Sequence, residues 1–329
     1  MKRLISTIAV LFLFLIFAFF RSTDQAKKNQ TPTVGILQLT SHPALDEIHR
    51  GIVAALKEEG FVAGKNIKID FQNAQNDQSN LKSMSQRFEN EDAAVMIGIA
   101  TPAAQSLANT TKTTPIVMGA ISDPIGAGLV KDLKHPGGNI TGVQHREPIA
   151  RQLQLIKALM PDLKTVGVLH TSSDDSSAAE VKEFSKLAQK SGIQVKEYTI
   201  TSTNDIQQVS ATMASNVQAI YIPNDNTVAS GFQTVLKNAN QNKIPIFPST
   251  SEMTRQGGLA TVSVSQYELG KMTGKMTAAI LKGKDPADMA IKYPTEGTTY
   301  LNQKQAQQLG ITLPNELITQ ISKKGVVIK

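Results

Sequence analysis

The sequence predicts an α/β protein of two lobes, each a doubly wound parallel sheet with helices on both faces. Short apolar runs alternate along the chain with longer amphipathic stretches, which is the pattern of parallel strands joined by helices. The chain has 329 residues, more than one hydrophobic core usually organises. A turn-rich segment at residues 134–141 divides the pattern into two series and predicts the first crossing between the lobes.

The first series of predicted elements starts at residue 34. Strands are assigned where apolar residues are continuous, and helices where they recur every three or four residues. Gly60 ends the first helix, and Pro102 begins the third at a position that favours proline. In chain order the predicted elements are strand 34–39, helix 44–59, strand 67–71, helix 79–88, strand 93–99, helix 102–109 and strand 115–118.

The second series follows the same rules. Its first helix ends before Pro161, and its last helix ends before Gly283. In chain order the predicted elements are helix 149–159, strand 165–169, helix 178–190, strand 195–200, helix 206–214, strand 219–222, helix 228–241, strands 244–247 and 259–264, and helix 267–281.

The first 31 residues predict export and are excluded from the fold. Lys2 and Arg3 precede an apolar run of thirteen residues, 8–20, which matches a signal peptide better than a full membrane span. Phe19 and Phe20 stand where a cleavage site needs small residues, so a retained anchor is slightly favoured over a cleaved signal, and both stay open. The polar residues from about 22 to 31 predict a flexible tether, and we expect an extracytoplasmic protein at the surface of a bacterium.

Composition excludes several functional classes. The chain has no cysteine, which removes disulfides, thiolate chemistry and a lipidated cysteine anchor. The formal charge of +7 comes from scattered Lys and Arg without interleaved aromatics, so no nucleic-acid partner is predicted. The five histidines lack metal-ligand spacing, and no hydrolase, Walker or dinucleotide-binding motif occurs at a suitable place. We therefore predict no catalytic residue, no metal and no cofactor, and hence no enzyme.

Polar residues in the loops that leave the predicted strands are the candidates for ligand binding, because open α/β sheets bind ligands beyond the carboxyl ends of their strands. Thr101 and Ser122, with free helix N–H groups, suit a carboxylate, and Asp225 suits an ammonium group. Each could instead only cap a helix or form a turn. The candidate ligand-binding residues are His42, Pro43, Thr101, Pro102, Ser122, Asp123, Ser172, Asp225, Asn226 and Thr250.

Several short motifs occur together in the order of a known family. They include His-Pro-Ala-Leu-Asp at 42–46, Ala-Thr-Pro-Ala-Ala-Gln at 100–105, Pro-Gly-Gly-Asn-Ile-Thr-Gly at 136–142 and Tyr-Glu-Leu-Gly at 267–270. From about residue 33 to near its C-terminus, the chain resembles the substrate-binding family of ABC importers that includes tryptophan-binding proteins.

The resemblance implies a type I periplasmic-binding-protein fold whose lobes are joined by three crossings. Lobe one would comprise residues 33–143 and about 266–290, and lobe two residues 144–265 and about 291–329. The resemblance also implies a monomer that closes over an amino acid and presents it to membrane permease subunits. The expected ligand is an aromatic amino acid, with tryptophan as the first choice. The side chain of that amino acid would lie near His42 and Pro43.

Two departures from the family pattern qualify these expectations. The chain lacks the lipidated cysteine that anchors many such proteins. Its segment 171–177 is unusually polar, and the chain has no Trp to stack on an indole ring. Tyr221, Phe247 or a proline face could serve instead. The alternative function is a membrane-tethered sensor of the same fold, whose lobes would signal to a receptor.

Overall fold

The computed structural model describes residues 31–329. The predicted export segment and all but the last residue of the predicted tether therefore lie outside the described residues. Among the helices of residues 31–329, none has the length and hydropathy of a bilayer-spanning segment.

The described chain alternates strands and helices through most of its length. The strands are β1 Thr33–Gln38, β2 Lys68–Asn73, β3 Val95–Ile99, β4 Ile116–Ile121, β5 Ile140–Gln144, β6 Thr165–Thr171, β7 Gln194–Ile200, β8 Ala219–Ile222, β9 Ile246–Pro248, β10 Ala260–Ser263, β11 Thr298–Asn302 and β12 Val326–Ile328. The α-helices are α1 Pro43–Glu58, α2 Gln78–Asn90, α3 Thr101–Thr110, α4 Ile149–Leu159, α5 Asp175–Lys190, α6 Ile206–Ala214, α7 Asn226–Ser230, α8 Phe232–Gln241, α9 Ser251–Arg255, α10 Gln266–Leu281, α11 Gln303–Leu309 and α12 Asn315–Lys324.

A five-stranded parallel sheet with the order β2-β1-β3-β4-β5 forms the centre of the first lobe. Its inner strands β3 and β4 are buried along their whole length, as their continuous apolar sequence predicts. Helix α1 packs closely on α10, and α2 packs on α3. One apolar core joins these elements and includes residues from two separate parts of the chain, 34–143 and 264–291.

The second lobe is centred on a four-stranded parallel sheet with the order β7-β6-β8-β9. On β8, the ring of Tyr221 stacks on that of Phe184 from α5, with centroids 3.7 Å apart. A three-stranded sheet, β10-β11-β12, adjoins this lobe and contains an antiparallel pair, β10 with β11. Helices α4 and α9 pack on β10, and α12 packs on β11 and β12.

The chain passes between the two lobes in three adjacent segments. The first follows β5, the second connects β10 to α10, and the third leads into β11. The first and third segments run side by side, since the Gln144 N–H donates to the Lys292 carbonyl at 2.7 Å and the Lys292 N–H donates to the Gly142 carbonyl at 3.0 Å. We refer to these three segments as the hinge. The residue boundaries of the lobes stay a prediction.

The predicted α/β fold is confirmed, and the differences are local. The predicted helix 228–241 is two helices, α7 and α8, separated at Gly231, where an added Cβ would lie 2.2 Å from the Ile206 side chain. Strand β5 lies within a segment that turn residues dominate, and it forms the edge of the first sheet. The elements from β11 to β12 were not predicted, because their apolar runs are short.

Candidate functional site

A small cavity lies between the lobes, where the carboxyl ends of strands from both parallel sheets face each other. It measures about 10 Å³, room for about one water molecule, so an amino acid can enter only if the lobes separate or the lining side chains move. We call it the interlobe cavity. Its lining residues are Ala44, Leu45, Ile48, Ala100, Thr101, Ala120, His145, Asn224, Asn226 and Gln266.

The first lobe contributes two helix N-termini to the interlobe cavity. Helices α1 and α3 both carry a proline in their first turn, Pro43 and Pro102, and among the described residues no side chain caps either helix. Their unpaired N–H groups and the positive end of each helix dipole favour an anion. With the hydroxyl of Thr101 on the cavity wall, this side of the cavity suits a carboxylate.

Two alanines on the same wall hold an unusual backbone conformation. Ala100 at the end of β3 has φ 77°, and Ala120 near the end of β4 has φ 63°. Residues with a Cβ adopt this left-handed region at a cost of about 1–3 kcal/mol, and such strain concentrates at functional sites. Both residues line the interlobe cavity, so this strained backbone lies next to the space that a ligand would use.

Polar side chains join the two lobes across the cavity. His42 Nε2 lies 3.1 Å from Asn226 Oδ1, and Asn224 Nδ2 lies 3.2 Å from Ser122 Oγ. Burial lowers the pKa of His42, so its ring is neutral at pH 7. Since the amide oxygen of Asn226 can only accept a hydrogen bond, His42 Nε2 carries the hydrogen and donates it. These hydrogen bonds can form only when the lobes are close together.

The structure therefore brings four of the predicted residues together at the cavity: His42, Thr101, Ser122 and Asn226. A wider groove of about 1180 Å³ opens beside it. Thr101 and Pro102 of the first lobe and Asn226 of the second lobe line this groove. The groove shares Thr101 and Asn226 with the interlobe cavity.

The remaining predicted residues lie at the edges of the cleft. Pro43 lines a groove of about 450 Å³ near the hinge, together with Glu252. Thr250 is buried, and its hydroxyl has no hydrogen-bond partner among the described residues. Ser172 is exposed, with its N–H bonded to the Ile200 carbonyl. Ligand contact for these residues stays a prediction.

The two predicted aspartates, Asp123 and Asp225, make the contacts expected of a turn residue and of a helix cap. These are the structural roles that were the alternatives to ligand binding. Asp123 accepts the Gly126 N–H at 2.9 Å in a turn. Asp225 is buried and caps α7, accepting the Val228 N–H at 2.9 Å. It also accepts the N–H and the hydroxyl of Thr171 at 2.6 and 2.9 Å. The Asp225 carboxylate thus ties the end of β6 to the start of α7, which carries Asn226 into the cavity.

Sequence reasoning missed a set of four ionisable residues, three of them buried, of which His145 and Glu147 lie in the first hinge segment. His145 lines the interlobe cavity, and its Nε2 lies 2.8 Å from Glu147 Oε1. Asn224 donates to its Nδ1 at 2.9 Å, which leaves Nε2 as the donor to Glu147. Glu180 and Glu252 act on the same imidazole electrostatically. We call His145, Glu147, Glu180 and Glu252 the buried glutamate cluster.

Burial governs protonation in this cluster. It raises the pKa of Glu147 well above its usual value and raises that of Glu180 to about 8, with Glu147 adding to the shift at Glu180. The pKa of Glu252 is also raised by burial, and that of His145 is lowered. Within residues 31–329 no group of His, Asp and Glu side chains is arranged to hold a metal ion. The only sequence signal was the pair His145 and Glu147 directly after the first predicted crossing.

Comparison with known proteins gives consistent results. The model of the family described as ABC transporter substrate binding protein matches residues 33–324. A tyrosine-binding protein from Clostridioides difficile is 35% identical over 289 residues, which cover 88% of this chain and 83% of that protein. A solved ABC domain from Streptococcus pneumoniae, in complex with L-Trp, is 46% identical with a TM-score of 0.87, and the match covers 91% of this chain and 100% of the other.

The arrangement of the lobes resembles that of the ligand-bound relative. A ligand-free, open substrate-binding protein with adhesive properties from Clostridium difficile is 36% identical and matches with a TM-score of 0.70, over 91% of this chain and 99% of that chain. The two solved structures cover the same share of this chain, yet the tryptophan-bound one superposes better. This agrees with the hydrogen bonds that join the lobes.

Proposed function

Since the chain belongs to the family of ABC transporter substrate-binding proteins, we propose that it delivers an aromatic amino acid, tryptophan or tyrosine, to an importer. The observation that carries the proposal is the interlobe cavity, where both lobes contribute polar strand-end residues and the first lobe adds two uncapped helix N-termini. Two relatives, one solved in complex with L-Trp and one a tyrosine-binding protein, support the choice of ligand class.

In the proposed complex, the first lobe binds the ligand carboxylate. The N–H groups at the starts of α1 and α3 and the hydroxyls of Thr101 and Ser122 would donate to it. The apolar face of α1, with Leu45 and Ile48 on the cavity wall, would contact the aromatic ring in place of a stacking Trp. His42 and Asn226 would then hold the second lobe closed over the ligand, because they meet only across the cleft.

Calorimetric titration tests the proposed ligand class. L-tryptophan, L-tyrosine and L-phenylalanine would be titrated into the protein, with L-leucine, L-lysine and glucose as controls. We expect at least one aromatic amino acid to bind with a Kd in the micromolar range or below, and glucose not to bind. Binding of a sugar, with no response to any aromatic amino acid, would refute the proposal.

The remaining parts of the proposal concern location and partner. We propose that residues 1–31 direct export and that the protein works at the cell surface as a monomer beside permease subunits. A reporter fused to residues 1–31 is expected to leave the cytoplasm, and membrane fractionation then distinguishes an anchor from a cleaved signal. Co-purification with permease subunits supports transport, whereas specific capture of a receptor without them favours the sensor.

A further inference from the structure

Three glutamates, two of them buried and one half-buried, lie around one histidine beside the interlobe cavity without a basic side chain to balance them. Glu147 and Glu180 are 7% and 6% exposed, and Glu252 is half-buried. Within the described residues, the ion pairs of these glutamates involve no Lys or Arg, only the contact of Glu147 with His145. Burying a carboxylate without a cation or a proton is costly, so the buried glutamate cluster either stays protonated or receives a cation.

Glu180 has an acceptor atom free for such a cation. Its Oε2 accepts the N–H of Asn224 at 2.9 Å, while its Oε1 is buried without a hydrogen-bond partner in the described part of the chain. The Asn224 side chain lines the interlobe cavity and bonds to His145 and Ser122. The free oxygen of Glu180 therefore belongs to a carboxylate held directly behind the cavity wall.

We propose that Glu180 is the anionic partner of the ligand's α-ammonium group and that Asn224, whose N–H it accepts, positions it. The inference rests on the proposed function and adds an ammonium subsite on the second lobe, opposite the carboxylate subsite of the first. Asp225, the partner that the sequence suggested, already accepts three hydrogen bonds from its own lobe.

The proposal makes ligand binding depend on pH. The ionisable groups that act on Glu180 are Glu147, His145 and Asp174, and the buried hydroxyl of Tyr221 senses its charge. Because burial raises the pKa of Glu180 to about 8, its carboxyl is mostly protonated at pH 7 in the free protein. An ammonium beside it favours the ionised form and expels that proton. Affinity therefore rises with pH by up to about tenfold per unit below pH 8 and levels off above it.

Calorimetry on wild type, Glu180→Gln and Glu183→Gln tests the assignment. Glu183 lies on the same helix and is exposed, so its variant is a matched control. The probes are L-tryptophan and L-tyrosine, together with their desamino analogues indole-3-propionate and 3-(4-hydroxyphenyl)propionate. We expect Glu180→Gln to weaken binding of the amino acid by about 30-fold or more and Glu183→Gln to leave it unchanged. The desamino analogue should bind both variants and the wild type equally weakly.

Measuring the number of protons released on ligand binding distinguishes the proposed role of Glu180 from a purely structural one. Titrations at pH 7 in buffers of different ionisation enthalpy should show proton release by wild type with the amino acid. They should show none with the desamino analogue and none with Glu180→Gln. If Glu180→Gln does not fold, the wild-type proton counts alone decide. Unchanged affinity in a folded Glu180→Gln, or no proton release by wild type, would overturn the ammonium subsite. Failure of wild type to bind either aromatic amino acid would instead overturn the proposed function.

Discussion

At the scale of single residues, Asp225 stabilises the wall of the cleft. Its carboxylate accepts the Val228 N–H at the start of α7 and two hydrogen bonds from Thr171. Asp225→Ala would leave buried donors unsatisfied, so we expect the free energy of unfolding to fall by about 2 kcal/mol or more. Affinity for the aromatic amino acid should change only a few-fold. Chemical denaturation and calorimetry on the same variant measure both quantities.

Asp123→Ala serves as the control for Asp225, since Asp123 is only partly buried and accepts a backbone N–H within its own turn. Its removal should lower the free energy of unfolding by about 1 kcal/mol or less. A large loss of affinity in Asp225→Ala with unchanged stability would return the ammonium group to Asp225 and contradict its assignment to Glu180.

The candidate site shows which residue-scale features a sequence can supply. His42, Thr101, Ser122 and Asn226 were predictable because each follows a strand, and strand ends of parallel sheets converge. The buried glutamate cluster was not predictable. Glu180 lies within an amphipathic helix whose neighbouring Glu183 is exposed, and Glu180 is buried where it accepts the N–H of Asn224 from the loop after β8. Burial that results from contact with segments distant in sequence leaves no pattern in the residues around the buried side chain.

At the scale of elements, the α1–α10 pair supports the first-lobe wall of the cavity. The two helices approach so closely that a Cβ at Gly270 would lie 2.0 Å from the Ile48 carbonyl oxygen of α1. Gly270→Ala must therefore separate the helices, and we expect it to lower the free energy of unfolding by about 1–3 kcal/mol. It should also weaken ligand binding, because Ile48 lines the cavity.

Thermal or chemical denaturation of Gly270→Ala is compared with that of Gly138→Ala. At Gly138 an added Cβ meets no atom of the described residues within 4 Å, so the control should be nearly neutral. Equal stability of the two variants would show that the helix pair can relax at low cost and would contradict the close-packing argument.

Helices and strands were predicted correctly where the apolar pattern extends over many residues. They were missed where the local residues do not show the element that forms. The predicted strands and helices up to residue 281 are present, because buried parallel strands and amphipathic helices carry strong patterns. The break at Gly231 depends on Ile206 from another helix, which the sequence around Gly231 does not show. Strand β12 is three residues long and only partly buried, so it carries little pattern of its own.

At the scale of the whole molecule, closure and ligand entry oppose each other. The structure superposes better on a tryptophan-bound relative than on an open one, and hydrogen bonds such as His42 with Asn226 join its lobes. Yet the interlobe cavity of about 10 Å³ cannot admit an amino acid without opening. The free protein must therefore visit an open state, and the ligand shifts the population toward the closed one.

Small-angle X-ray scattering and single-molecule FRET between labels on the two lobes test this shift. We expect saturating aromatic amino acid to reduce the radius of gyration and to shift the FRET distribution toward shorter distances. His42→Ala removes a hydrogen bond that exists only in the closed state, so it should raise the open population and weaken binding by about 5- to 10-fold, or about 1 kcal/mol. The stability of the lobes should hardly change, because the His42 side chain meets its partner Asn226 across the cleft. Identical scattering and FRET profiles with and without ligand would contradict a clamp that works by closure.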